Sequence, residues 1–298
     1  MSFTIAHLSD PHLGPTPFPR LRELRLKRFM GFVNWKRGRE RANDMAALAR
    51  LVADLKAQAP DHIAMTGDVA NIGLPWEHRR AADWLRSLGD PADVSFTPGN
   101  HDAYVGDSTT SLAAAFAPWT AGDDGASGFP FLRARGEVAL IGLSSARPTG
   151  PLMATGRLGR RQLEALGDLL GRAAARGLAR VILIHHAPLS RGGSPLRRLV
   201  DAPAFEAVVA RFGAEAILHG HEHKTTVRYL ASPAARVVGG RIPVLGVPAA
   251  AAMARALSRR GAYHLIRLER VGEIWRVTAR ARGLSPGSAE IGEREALV

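Results

Sequence analysis

Polar side chains that can bind metal ions occur in short motifs spread over most of the chain. The five motifs are Ser9-Asp10-Pro11-His12, Gly67-Asp68 with Asn71 close behind, Gly99-Asn100-His101-Asp102, His185-His186, and His219-Gly220-His221-Glu222-His223. They hold seven of the 11 histidines in the chain. Imidazole and carboxylate ligands suit first-row divalent metals such as manganese, iron and zinc. The motifs therefore indicate a metal site.

The supply of ligands exceeds the need of one ion, which favours two ions that share a carboxylate. Two metals about 3.5–4 Å apart can clamp a phosphate and lower the pKa of a bound water from about 15.7 toward about 7. The chain has no cysteine, which excludes a thiolate zinc site and a disulfide framework. The chemistry that fits this ligand set is metal-dependent hydrolysis of a phosphate ester.

The elements that must position these residues are short apolar runs, because each motif directly follows one. The runs are Thr4–Leu8, Ile63–Thr66, Val94–Thr97, Val181–Ile184 and Ile217–Leu218. Helical patterns over 42–58, 76–88 and 160–176 alternate with such runs. This alternation predicts parallel strands covered by helices on both faces. The carboxyl ends of such strands share one edge of the sheet, so we expect the five motifs to meet there.

The last third of the chain has a different pattern. Its strand candidates are Thr225–Leu230, Arg236–Val238, Ile242–Val247, Tyr263–Leu268 and Ile274–Arg280, with few helices between them. This pattern predicts a second, largely antiparallel sheet packed onto the first. We interpret residues 1–281 as one domain. Residues 282–298 are rich in Gly, Ser, Pro and Glu, which predicts a flexible C-terminal tail.

The order of the motifs resembles that of a known family. The pattern Asp-x-His, Gly-Asp, Gly-Asn-His-Asp, His and Gly-His-x-His is similar to that of the calcineurin-like metallophosphoesterases, and all five blocks occur here in order. The resemblance implies an α/β fold, a four-layer αββα sandwich with two mixed β-sheets flanked by helices. It also implies a site for two divalent metal ions (Mn²⁺, Fe²⁺/Fe³⁺ or Zn²⁺) at the carboxyl ends of the strands.

The resemblance also implies a role for each residue of the motifs. The implied ligands are Asp10, His12 and His223 for one metal, Asn100, His185 and His221 for the other, and Asp68 as the bridge. His101 would donate a proton to the leaving group, and Asp102 would orient its imidazole, a pairing suited to general acid catalysis.

The residues alone leave either His185 or His186 as the ligand. The resemblance selects His185, because the family places the ligand first and Pro188 fits the register. Asn71, His186 and His219 would then support the site from outside the set of ligands.

The net charge of the chain and one basic segment give information about the substrate. The formal net charge is +13, which favours anionic partners without selecting among them. The segment 20–41 holds nine basic residues against two acidic ones, interleaved with apolar side chains. It could pack on the domain, lie on an anionic membrane, or line a groove for a polyanionic substrate. Its candidate contacts are Arg20, Arg25, Lys27, Arg28, Trp35, Lys36 and Arg37.

Several functions fit these patterns, and hydrolysis of a small phosphodiester fits best. The layout is most similar to bacterial members of the family that act on small phosphodiesters, including cyclic nucleotides. One alternative is a pyrophosphatase for a UDP-diacylglucosamine-type lipid at the membrane surface. Another is a scaffold without catalysis, which the complete set of ligands and His101 argue against.

Partners and location follow from composition. Aromatic residues make up 6% of the chain without a stacking stripe, which argues against nucleic acid. The first apolar run, residues 3–8, is too short for a signal peptide or a membrane span. We therefore expect a cytoplasmic protein, with peripheral contact to the inner membrane surface as an extension of this view. Oligomeric state is not encoded in these patterns.

Overall fold

The computed structural model describes residues 2–24, 26–191, 194–285 and 290–298. Within these residues the strands are β1 Ser2–Leu8, β2 His62–Met65, β3 Val94–Phe96, β4 Phe131–Arg135, β5 Val138–Gly142, β6 Ala179–Leu183, β7 Ala216–His219, β8 Thr226–Ala231, β9 Arg241–Gly246, β10 Ala262–Val271, β11 Ile274–Leu284 and β12 Ile291–Ala296. The α-helices are α1 Leu26–Asn34, α2 Glu40–Ala42, α3 Met45–Ala57, α4 Pro75–Leu88, α5 Ser108–Thr120, α6 Arg160–Ala175 and α7 Ala202–Phe212.

The strands form two mixed sheets of six strands each. The first sheet has the order β12-β11-β10-β1-β2-β3, in which β1, β2 and β3 are parallel. The second has the order β4-β5-β6-β7-β9-β8, in which β5, β6, β7 and β9 are parallel. Each sheet therefore brings the carboxyl ends of its parallel strands to one edge, where the predicted site residues follow.

Apolar side chains divide the molecule into four layers. The inner faces of the two sheets share one core, which includes Ile5, Ala64, Ile266, Val138, Val181 and Leu218. Helices α3, α4 and α5 cover the outer face of the first sheet, and α6 and α7 cover that of the second. The αββα sandwich predicted from the family resemblance is confirmed.

Helix α3 illustrates how the sequence produces an outer layer. The Asp44 carboxylate caps its N-terminus by accepting the N–H groups of Ala46 and Ala47. Three leucines on one face are buried against the first sheet: Leu48, Leu51 and Leu55. Burial of each such side chain contributes about 1.5–3 kcal/mol. None of the helices in the described part of the chain has both the length and the apolar character needed to traverse a bilayer.

The prediction of a separate antiparallel sheet in the last third is wrong. Strands β8 and β9 complete the second sheet, whereas β10 and β11 extend the first. The segment Arg236–Val238 forms only an isolated bridge, between Val237 and Trp275. Strand candidates are visible in local hydropathy. The pairing of β10 with β1, however, joins segments more than 250 positions apart, and Phe3 for example pairs with Leu268. Local patterns do not contain that information.

The expected flexible tail after residue 281 is also wrong for the described residues. Strand β11 continues to Leu284, and β12 pairs with it in antiparallel register. This edge strand reads Ile-Gly-Glu-Arg-Glu-Ala and is largely exposed, so it carries little apolar signal. Backbone hydrogen bonds and cross-strand charges such as Arg280–Glu293 at 3.2 Å stabilise it instead.

Candidate metal centre and cleft

The predicted ligands lie just beyond the carboxyl ends of five parallel strands. Asp10 follows β1, Asp68 follows β2 and Asn100 follows β3, all in the first sheet. His185 follows β6 and His221 follows β7 in the second sheet. The edges of the two sheets meet here, so residues from distant parts of the sequence surround a common space.

Two groups of ligand atoms form at this edge. The first group comprises Asp10, His12, Asp68 and His223, and the second comprises Asp68, His185 and His221. Within each group the ligand atoms all lie within 4.8 Å of one another. Asp68 belongs to both groups, which is the position expected of a bridging carboxylate. The assignment of these residues as ligands stays a prediction.

Asn100 completes the predicted set, and it shares an unusual property with His185. Both are buried, and neither Asn100 Oδ1 nor His185 Nε2 has a hydrogen-bond partner. His185 Nε2 lies 3.4 Å from Asp68 Oδ2 without hydrogen-bond geometry. A buried polar atom left unpaired costs about 1–3 kcal/mol. A cation placed between these atoms would offset that cost, so the residues fit a metal.

Three of the histidines are held in the orientation that metal ligands require. Each donates one ring N–H to a backbone carbonyl, which fixes the orientation of the ring. The pairs are His12 Nδ1 to Ala70 O at 3.3 Å, His185 Nδ1 to Thr66 O at 2.6 Å, and His221 Nε2 to Arg197 O at 2.9 Å. The other ring nitrogen of each histidine has no carbonyl partner among the described residues and is the one left for a metal.

The backbone is strained at the same positions. Among described residues other than glycine, positive φ angles occur at seven, and five of these are predicted ligands: Asp10 (52°), His12 (42°), Asp68 (54°), His221 (66°) and His223 (48°). Such conformations cost about 1–3 kcal/mol each and cluster at functional sites. Their concentration here indicates a functional site at which strained backbone lowers the stability of the fold.

Two glycines of the motifs are required by close approach. A Cβ at Gly99 would collide with the Asp68 carboxylate, and one at Gly220 would collide with Ser9 and Asp10. Packing around the ligands therefore explains the glycine of Gly-Asn-His-Asp and that of Gly-His-x-His.

Electrostatics prepare the carboxylates to bind a cation. Burial alone would raise the pKa of Asp10 and Asp68, but the surrounding imidazoles outweigh it and hold both pKa values below their usual range. Burial lowers the pKa of His185, yet the Asp68 carboxylate dominates and raises it to about 9. Both carboxylates are therefore charged at neutral pH.

Asp102 does not have the role that the sequence analysis gave it. Its buried carboxylate accepts the backbone N–H groups of Asp68 and Gly99 at 2.8 Å and that of Ala70 at 2.9 Å. Among the described residues it forms no hydrogen bond with the His101 ring, because both of its oxygens accept buried backbone N–H groups. Asp102 fixes the loop that carries the bridging residue instead.

The His101 ring is held by other groups. Its Nδ1 donates to Asn71 O at 2.5 Å, and its Nε2 faces Arg39 Nη1 at 2.7 Å. Its ring stacks on Tyr104, with 5.4 Å between ring centroids. Burial and the Arg39 charge lower the pKa of His101 to about 4. His101 therefore presents Nε2 toward the cleft beside the metal groups.

The three predicted supporting residues have distinct contacts. Asn71 holds His101 through its carbonyl, and its side-chain Nδ2 donates to Leu13 O at 3.0 Å. His219 is buried, with Nδ1 3.1 Å from Gly220 O.

His186 has no free ring nitrogen. Its Nδ1 lies 2.7 Å from Ser145 Oγ, and its Nε2 donates to Ala154 O at 3.2 Å. Its ring packs against His221, with 4.4 Å between centroids. The structure therefore favours His185 over His186 as the ligand.

The basic segment 20–41 forms one wall of a cleft above the metal groups. The cleft has a volume of about 600 Å³. Two of the predicted contact residues anchor the segment instead of facing solvent. Arg28 is buried and donates to Ile72 O, Gly73 O and the Asp107 carboxylate. Trp35 is 2% exposed and packs against Gly14.

The other predicted contacts of this segment differ in position. Lys27 and Arg37 line the cleft. The Lys27 ammonium lies 2.7 Å from Tyr104 O. Lys36 pairs with Glu40, and Arg20 is exposed away from the cleft. Arg25 lies outside the described residues.

Among the described residues that line the cleft, three arginines were missed by sequence reasoning: Arg39, Arg197 and Arg259. Arg39 is one of nine basic residues in its segment, and nothing local distinguishes it. Its position opposite His101 results from the π-helical turn Trp35–Arg39 and from tertiary packing.

Comparison with known proteins gives a consistent result. The family model described as calcineurin-like phosphoesterase matches residues 3–225. The chain is 28% identical over 231 residues to a probable cyclic nucleotide phosphodiesterase of Synechococcus sp., and the match covers 76% of each chain.

Solved structures show the same fold at low identity. A dimetal phosphatase from Danio rerio is similar with a TM-score of 0.62 and 14% identity, covering 98% of each chain. A purple acid phosphatase from yellow lupin (Lupinus luteus) has a TM-score of 0.57 and 10% identity, covering 98% of this chain and 53% of that one.

Proposed function

Because the chain belongs to the calcineurin-like phosphoesterase family, we propose that it hydrolyses a phosphodiester with the help of two divalent metal ions. The observation that carries this proposal is the pair of ligand groups that share Asp68. The unpaired atoms of Asn100 and His185 support the second metal position. The residues that would hold the ions are Asp10, His12 and His223 on one side, Asn100, His185 and His221 on the other, and Asp68 between them.

The metal ions, when bound, supply Lewis-acid activation of the phosphate and of the attacking water. The protein itself holds the proposed ligands in position, since backbone carbonyls orient the imidazoles and Asp102 holds the loop of Asp68. This preorganisation lowers the cost of reorganisation during the reaction.

His101 is the proposed proton donor to the leaving group. Its Nδ1 is committed to Asn71 O, so Nε2 is the atom that faces the cleft. Donation requires a proton on Nε2, whereas in the structure the Arg39 guanidinium donates to this nitrogen. The proposed donor is therefore the imidazolium form of His101, in which Nε2 takes up a proton from solvent once the contact with Arg39 opens on substrate binding.

The proposed substrate is a cyclic nucleotide or another small phosphodiester. The similarity to a probable cyclic nucleotide phosphodiesterase supports this class. A cleft of about 600 Å³ also lies in the range of sites that take small molecules, about 300–1,000 Å³.

The test is hydrolysis by metal-stripped protein resupplied with manganese. Bis-p-nitrophenyl phosphate and p-nitrophenyl phosphate would be compared for wild type, Asp68→Ala and the matched control Asp83→Ala, an exposed carboxylate on α4. We expect manganese-dependent turnover of the diester above that of the monoester, lost in Asp68→Ala and kept in Asp83→Ala. Equal turnover by Asp68→Ala, or turnover without metal, would contradict the proposal.

A second candidate substrate is a phosphate ester carrying an apolar chain, such as a UDP-diacylglucosamine-type lipid at the membrane surface. The observation that favours it is the apolar rim of the cleft. Four lining residues are large, apolar and at least 36% exposed: Phe29, Met30, Leu152 and Met153. Leu21 and Leu26 extend this apolar surface along the basic segment, at 84% and 69% exposure. Exposed apolar side chains beside cations suit an anionic lipid surface.

Sedimentation with vesicles at physiological salt tests this candidate. Wild type should bind phosphatidylglycerol-containing vesicles, and Leu21→Ser/Leu26→Ser should lose most of that binding. The control is Val271→Ser/Ile274→Ser, an apolar pair that is 38% and 39% exposed at the opposite edge of the first sheet. Absence of binding by wild type would rule out the membrane candidate and leave the soluble phosphodiester.

A further inference from the structure

We propose that Arg39 and Arg197 form a subsite for a second phosphate group of the substrate, next to the phosphate that the metal centre would hold. The proposal rests on the proposed function and narrows its substrate: among small phosphodiesters it selects those that carry a second phosphoryl group over cyclic mononucleotides. It defines a phosphate ester or anhydride that carries two neighbouring phosphoryl groups, as a diphosphate does.

The fold delivers Arg39 to the centre by an unusual local structure. Arg39 ends the π-helical turn that begins at Trp35, whose buried ring anchors the turn. Turns of this kind are rare in proteins, and those that occur are often found at functional sites. The guanidinium reaches His101 Nε2 at 2.7 Å, which places a rigid fork of donors where the leaving group would lie.

Arg197 approaches the same space from the second sheet. Its carbonyl accepts the His221 ring N–H at 2.9 Å, so this residue is tied to a predicted metal ligand. Arg197 lines the same cleft as Arg39. The two arginines therefore reach one space from different segments of the chain.

Neither guanidinium has an acidic partner among the described residues. Arg28, Arg180 and Arg282 each form an ion pair with a carboxylate in the same structure. Arg39 and Arg197 form none, although Arg39 is partly buried. Both arginines therefore keep their guanidinium groups available to an anion in the cleft, and arginine forks match phosphate oxygens in geometry.

The position of this pair selects the chemical class of the ligand. The metal ions would neutralise the scissile phosphate, so additional cations match additional negative charge. Because Arg39 contacts the nitrogen that would protonate the leaving group, the second phosphate lies on the leaving-group side. A diester with two uncharged arms would leave the arginine pair without a partner.

Calorimetric titration of manganese-loaded protein tests the subsite without depending on turnover. The ligands are adenosine 5′-monophosphate and the non-hydrolysable α,β-methylene analogue of adenosine 5′-diphosphate, each with manganese in excess. Wild type should bind the diphosphate analogue at least about tenfold more tightly, since charge-assisted hydrogen bonds are the strong ones. Arg39→Ala and Arg197→Ala should lose most of this ratio, and Arg39→Lys should recover part of it.

The control is Arg198→Ala, an exposed arginine next to Arg197 that does not line the cleft, and it should keep the wild-type ratio. Equal affinity of wild type for the two ligands, no binding of the diphosphate analogue, or an unchanged ratio in Arg197→Ala would overturn the subsite. Arg197 is exposed, so this variant keeps the test valid if Arg39→Ala does not fold. Failure of the proposed function would appear separately, as a lack of diester hydrolysis.

Discussion

The cleft has two walls that are built differently. One is the metal edge, which is the set of predicted ligands at the carboxyl ends of the parallel strands, and the other is the basic segment 20–41. The metal edge places its residues at the ends of buried parallel strands, with strained backbone at Asp10, Asp68 and His221. The described part of the basic segment is a helix and a turn held by three buried side chains, Arg28, Phe32 and Trp35, with its outer face exposed. The edge is fixed by the cores of both sheets, and the segment is fixed locally. We therefore propose that the reaction takes place at the metal edge and that the basic segment selects the substrate.

The largest effect should come from the metal edge. His12→Ala removes a ligand from the first group and should lower kcat/KM for the diester by more than about 1,000-fold, because metal ions contribute several kcal/mol to transition-state stabilisation. The manganese content of the purified variant should fall as well. Full activity with a reduced metal content would show that the first group is not needed for the reaction.

His101→Ala should have the next largest effect. We expect kcat to fall by about 100- to 10,000-fold, the usual contribution of a general acid. The metal content should stay that of wild type, because His101 enters neither ligand group. A variant that loses metal along with activity would indicate a ligand role and contradict the assignment.

Substitution of a residue that anchors the basic segment should lower the free energy of unfolding of the protein. Arg28→Met leaves the carbonyl of Ile72 without its donor, removes one of the two donors to Gly73 O, and should lower the free energy of unfolding by about 2–4 kcal/mol in urea titrations. Arg22→Met, at an exposed position in the same segment, should change it by less than about 0.5 kcal/mol. Equal effects of the two substitutions would mean that Arg28 is not an anchor.

The smallest effect concerns the scaffold behind the metal edge, where Asp54 of α3 meets Arg282 and Tyr263. Burial would raise the pKa of Asp54, but the hydrogen bonds from Arg282 and Tyr263 lower it. A lowered pKa stabilises the fold above the ordinary value of about 4, and that stability is lost as pH falls through the folded pKa. Asp54→Asn should therefore cost less than about 1 kcal/mol at pH 7. The difference in the free energy of unfolding between Asp54→Asn and wild type should shrink as the pH is lowered. A difference that grows in acid would contradict a lowered pKa for Asp54.

The two walls also differ in how far the sequence reveals them. Asp10, Asp68 and His185 could be identified because a metal site needs fixed residue types, and each follows a buried strand. The role of Asp102 was carried over from the family resemblance, whereas its carboxylate hydrogen-bonds to the backbone of Asp68, Ala70 and Gly99. Arg39 was missed because its meeting with His101 depends on packing over 62 positions.

The fold shows the same limit. Local hydropathy locates most strands, but it does not state that β10 pairs with β1, and it gives no signal for the polar edge strand β12. Pairing partners and polar edges are determined by long-range contacts. The family resemblance supplied the layer order that local patterns could not.

The most direct test of the central claim is electron paramagnetic resonance of the manganese-loaded protein, with metal content measured on the same sample. Two ions that share Asp68 should give the spectrum of a spin-coupled manganese pair, at two manganese per chain. Asp68→Ala should lose the coupling. A spectrum of magnetically isolated manganese in wild type, at one ion per chain, would contradict the dinuclear centre.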